Sequence, residues 1–125
     1  MFDIDLMSRI PIYEQLYRKV VELILKGVLT EQEKLPSVRS LATELGVNPN
    51  TVAKAYSLLE RDGIIYSLSG RGSFIAKPDK LLAQERILCD FDVAVGHALE
   101  IGIEAELLQN RIKTIEKQKK GEESL

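Results

Sequence analysis

The sequence predicts a mainly α fold with one small β-hairpin, and three stretches carry that prediction. Between Leu35 and Ala76, two short amphipathic helices and a Gly-rich hairpin follow one another with hardly a spare residue. Ahead of them a longer amphipathic helix is expected from Pro11 to about Lys26. Behind them, past Lys77-Pro78-Asp79, the apolar pattern stays helical to about Lys120.

In chain order, residues 1–9 read as an extended arm that packs Phe2, Ile4 and Leu6 on a neighbour, in this chain or another. The helix opened by Pro11 and closed by Gly27 carries Ile12, Leu16, Val20 and Leu23 on one stripe, with Tyr13, Tyr17, Val21 and Ile24 beside it. So wide a stripe predicts burial against more than one surface. The connector Val28–Lys34 is solvated at Glu31, Gln32 and Glu33, and Leu35 adds a short strand to the hairpin. Ser37 caps the first short helix, whose inward positions are Val38, Leu41, Ala42 and Leu45, and Gly46 ends it in a left-handed turn that tucks Val47 inward. Asn48 caps the second helix, with Pro49 at its first position. Val52, Ala55, Tyr56 and Leu59 form its inner stripe. The hairpin pairs Ile64–Leu68 with Ser73–Ala76 around Ser69-Gly70-Arg71-Gly72. Helix, turn, helix and basic-tipped wing make residues 1–77 a winged helix-turn-helix.

Residues 78–125 are expected to form a two-helix dimerisation tail. Leu81, Leu88, Phe91, Val95 and Ala98 recur as a coiled-coil-like seam, which Gly96 and Gly102 interrupt. A second helix past a bend at 97–102 carries Ile103, Leu107, Leu108, Ile112 and Ile115, and Lys117–Leu125 is a charged frayed end. Two such stripes exceed what a small winged domain can bury. They predict pairing with a second copy, with Leu81, Leu88, Phe91, Val95, Ile103 and Leu107 at the interface.

The outward face of the second short helix gathers Asn50, Thr51 and Lys54 at its amino-terminal end, the end that enters a major groove. Asn can pair with adenine in a bidentate way, Thr can meet a phosphate or a thymine methyl, and Lys can meet guanine or phosphate. Arg71 between two glycines can reach phosphates or a narrow minor groove.

The runs Leu35-Pro36-Ser37-Val38-Arg39-Ser40-Leu41-Ala42, Gly46 to Val52 and Gly70-Arg71-Gly72-Ser73-Phe74 resemble the DNA-binding domain of GntR-family bacterial transcription regulators. Pro11-Ile12-Tyr13-Glu14-Gln15-Leu16 is similar to the opening of the YtrA-type subfamily, whose short carboxy-terminal module the tail also resembles in length and pattern. The resemblance implies DNA contacts by Ser37, Arg39, Asn48, Asn50, Thr51, Lys54, Gly70 and Arg71. Where some relatives carry Arg in the second helix, this chain has Pro49 and Ala53.

Composition sets limits on function. At 125 residues the chain has no room for a catalytic domain beside the winged motif, and neither an enzyme nor a cofactor is expected. Net charge is −2 overall, with ten Lys and Arg against nine Asp and Glu over residues 1–77. DNA binding must therefore come from placed cations, Arg39, Lys54 and Arg71, rather than from bulk charge. The single Cys89 reads as core packing, and His97 is the only histidine, so no metal site is expected. There is no transmembrane run and no secretory start, which predicts a cytoplasmic protein. The function expected is a homodimeric, sequence-specific transcription regulator, a repressor acting on an inverted-repeat operator. An unnamed small-molecule effector has room between the tail helices or at the dimer interface. The alternative is a winged-helix protein-interaction module without DNA binding.

Overall fold

The structure, a computed structural model, describes residues 2–124, with the backbone alone at 80, 81, 123 and 124. The side chain of Leu81, first in the expected seam, therefore lies outside the described ones. The elements in order are α1 (Ile12–Leu25), α2 (Val38–Leu45), α3 (Pro49–Arg61), β1 (Ile65–Leu68), β2 (Gly72–Ile75), α4 (Lys80–Glu100) and α5 (Ala105–Ser124). They divide into two compact units, Met1–Gln84 and Glu85–Leu125.

The first unit holds the core. α3 is its centre and packs on α1, on α2 and on β1. Leu16 and Val20 of α1, Leu41 of α2, Val52 and Leu59 of α3, and Ile65 and Ile75 of the hairpin are almost wholly removed from water. Each such side chain contributes roughly 1.5–3 kcal/mol of transfer free energy. The wide stripe of α1 meets more than one surface, as its width predicts: α1 packs on α3, and the arm joins the same core. Phe2 is buried and Ile4 is partly buried against the core, so the arm's neighbour is its own chain. Gln15 clasps it, with Asp5 N–H donating to Oε1 at 2.9 Å and Nε2 donating to the carbonyls of Asp5 at 3.0 Å and Ile10 at 2.8 Å. Leu6 departs from expectation and is 63% exposed. It lies in the turn past Asp5.

The hairpin is antiparallel, with Ile65 opposite Ile75 and Leu68 opposite Gly72. The period of two puts Ile65 and Ile75 inside, while Tyr66 and Phe74 stack on the other face with ring centroids 5.6 Å apart. The strand expected at Leu35 is reduced to a bridge. Lys34 pairs with Phe74, Leu35 N–H donates to Ser73 O at 2.9 Å, and Ile75 N–H donates to Glu33 O at 2.9 Å.

The second unit is helical, and α4 ends at a short break over 101–104. Gly96, expected to interrupt the pattern, lies inside α4. One helical Gly costs only about 1 kcal/mol, which a helix of this length absorbs. The charged end expected to fray continues as α5, where Lys120 pairs with Glu116 and Lys119 with Glu122 at helical spacing. Cys89 is exposed rather than in a core. Its helix face has no interior to enter, because no described side chain from residue 85 onward is fully buried.

Candidate nucleic-acid interface

The polar residues singled out by the sequence sit on or near element ends that local chemistry fixes, with Lys54 one turn further into α3. Ser37 has extended backbone, and its Oγ accepts a hydrogen bond from Ser40 N–H at 3.0 Å, which caps α2. Arg39, two residues on, is exposed. Gly46 closes α2 at φ 69°, a conformation that L side chains avoid, and Val47 N–H then bonds back to Ala42 O at 3.0 Å. The chain reverses within two residues and meets Asn48, whose Oδ1 accepts from Asn50 N–H at 2.8 Å. Pro49 follows at the first position of α3, where no amide is needed.

The expected inner stripe of α3, Val52, Ala55, Tyr56 and Leu59, is buried throughout. That orientation leaves Asn50 and Lys54 exposed and Thr51 half-buried on the first turns. Tyr56 ties the two helices together, its hydroxyl donating to Pro36 O at 2.7 Å just ahead of the α2 cap. Burial pushes this phenol up to about 12. The start of α2, with Ser37 and Arg39, is thus pinned to the middle of α3.

Gly70 and Arg71 stand apart from these helix ends, at the tip of the hairpin. Arg71 N–H bonds Leu68 O at 2.9 Å, closing a four-residue turn in which Gly70, the third residue, has φ 77°. Arg71 is exposed. The wing's base is fixed to α3 by Ile64 N–H donating to Leu59 O at 2.9 Å.

Two contacts were not legible in the sequence. The Lys54 ammonium lies 4.0 Å from the centroid of the Tyr13 ring, so α1 holds a cation of the α3 outer face by cation–π attraction. Tyr17, also expected in the core, is half-buried and donates to Asp62 Oδ2 at 2.5 Å. Asp62 also pairs with Arg61 Nε at 3.1 Å, which raises the Arg61 pKa. Arg61 faces outward as expected, but a carboxylate engages it.

A family model described as bacterial regulatory proteins, gntR family, matches residues 12–75, from the start of α1 to the end of β2. The chain belongs to the GntR family. A curated relative, the HTH-type transcriptional repressor YtrA of Bacillus subtilis, is 44% identical over 97% of this chain and 96% of its own. Its likeness therefore extends through the tail. Among solved structures, a transcriptional antiterminator from Listeria monocytogenes superposes with a TM-score of 0.72 at 38% identity, covering 93% of this chain and 90% of the other. The AraR DNA-binding domain in complex with an operator superposes with a TM-score of 0.55 at 26% identity, covering 60% of this chain and 96% of that one.

These relatives are regulators and not enzymes. In this GntR regulator, the matched segment contains Ser37, Arg39, Asn48, Asn50, Thr51, Lys54, Gly70 and Arg71. Among the described residues, no group of His, Cys, Asp and Glu is placed to hold a metal ion. No helix in them is long and apolar enough to cross a membrane.

Proposed function

We propose that this GntR regulator is a homodimeric, cytoplasmic repressor that reads an inverted-repeat operator. Residues 1–77 bind DNA and 78–125 dimerise. The observation that carries the reading is the outward face of α3, where Asn50 and Lys54 stand exposed on the first turns while the opposite stripe is the centre of the core. In the major groove that end brings Asn50, Thr51 and Lys54 to base edges and phosphates, and Asn48 and Ser37 sit at the groove's rim. Arg39 and Arg71 neutralise phosphates on either side, with Gly70 letting the wing backbone approach the sugar-phosphate rail.

Support for the dimer comes from the tail. Phe91 is 44% exposed, Leu88 45% and Leu107 54%, in a tail where no described side chain from residue 85 onward is fully buried. Val95 is half-buried on α4, and Ile103, expected on the second helix, is half-buried in the break that precedes α5. An apolar surface of this kind is stable in water when a second copy covers it. Two linked recognition helices then read two half-sites, which multiplies affinity without new kinds of contact. In this arrangement an apolar or amphipathic small-molecule effector has a place between the tail helices or at the interface between tails.

Recovery of bound fragments from random duplex DNA tests the reading. A palindromic consensus is expected, with Arg39→Ala and Arg71→Ala each weakening binding to it. Enrichment of no sequence, or unchanged binding by both variants, refutes it.

A further inference from the structure

The sequence places Lys34 in a solvated connector, yet its side chain is directed along the wing. Lys34 bridges to Phe74, so the two share a face of the sheet, and Gly72 lies on that face two residues nearer the tip. A Cβ built on Gly72 would stand 3.0 Å from Lys34 Cε and 3.7 Å from its Nζ. The lysine stem therefore crosses β2 in the space that the absent side chain leaves open. Its ammonium arrives beside the residue that follows Arg71. Glu33, the nearest acid in sequence, already accepts from Thr30 Oγ1 at 3.4 Å. Among the described residues no carboxylate pairs with Lys34 or Arg71, and both are exposed.

We infer that Lys34 is a second wing cation, which binds a backbone phosphate of duplex DNA alongside Arg71, with Gly72 as the notch that lets it reach. The inference rests on the DNA-binding reading above. Two cations set on one wing without an acid between them repel each other and gain from a polyanion. A lysine is a compact point charge on a flexible stem, suited to a phosphate oxygen more than to the planar edge of a base. Its contribution is therefore expected to be independent of sequence.

The test uses the full chain with Lys34→Gln, Lys34→Arg and Arg71→Gln. Binding is measured over a salt series on the enriched duplex and on an unrelated duplex, and melting temperatures confirm that the variants are folded. For Lys34→Gln, the slope of log affinity against log salt should become less steep by about one for each protomer. Both duplexes should weaken by the same factor, and Lys34→Arg should restore the parent slope. An unchanged slope in Lys34→Gln, with Arg71→Gln weakened, overturns the inference and leaves the DNA reading standing. A loss confined to the enriched duplex also overturns it, because the contact would then be to a base. A parent chain that binds neither duplex overturns both.

Discussion

Replacing Tyr56 with Phe removes one hydroxyl and tests the joint between α2 and α3. That hydroxyl is buried and donates to Pro36 O at 2.7 Å, so at neutral pH its loss should cost about 1 kcal/mol of stability. The same group gives the joint a pH dependence whose sign is fixed. Tyr56 ionises near 10 in the unfolded chain and at about 12 in the fold. Below pH 10 both states hold the proton and the stabilisation is complete. Between pH 10 and 12 the unfolded state loses its proton first, so stability falls as pH rises. The fall is about 1.4 kcal/mol per pH unit. The advantage of the parent over Tyr56→Phe should thus shrink above pH 10 and reverse near about pH 11. Urea denaturation of both proteins at a series of pH values from neutral to 12 reads the difference directly, because the other tyrosines and lysines titrate alike in the two. Parallel curves with a constant gap, or no gap at neutral pH, would refute the reasoning.

Two further outcomes are expected. Asn48→Ala removes the cap on α3 and should lower stability by about 1 kcal/mol in the same denaturation assay, whereas Asn48→Asp, which keeps an acceptor for Asn50 N–H, should lose much less. Phe91→Asp puts a charge on the exposed apolar face of α4 and should convert the sedimenting species to a monomer at micromolar concentration. Far-UV circular dichroism should still report the winged unit, and affinity for a palindromic site should fall by about 100-fold or more. A Phe91→Asp chain that still sediments as a dimer would move the interface elsewhere.

What the sequence made legible was local. Ser37, Gly46, Asn48 and Pro49 each act on backbone groups within a few residues, so helix ends placed from them agree with the structure to within a residue or two. The inner stripe of α3 follows from the same helical period. What could not be read is what meets what across the chain. Tyr13 is spaced like a core residue, and nothing local shows that a lysine of α3 covers its ring. Gln15 looks like any polar helix residue until the arm folds back to it. Gly96 and the charged end mislead for a different reason. Propensity counts each residue separately, whereas a long helix shares the cost of one weak position over its whole hydrogen-bonded run. Cys89 misleads because burial depends on an interior that the tail does not make by itself.

The Asn48 cap constrains what that side chain can recognise. With Oδ1 turned back to the amide of Asn50, the NH2 edge of Asn48 is the part left for an outside partner. Such an edge donates, so it suits phosphate oxygens, guanine O6 and N7 or thymine O4, and it is poorly suited to the donor-and-acceptor pattern of adenine. Asn50, whose side chain caps nothing, keeps both polarities, so two neighbouring residues of one type would discriminate among bases in different ways.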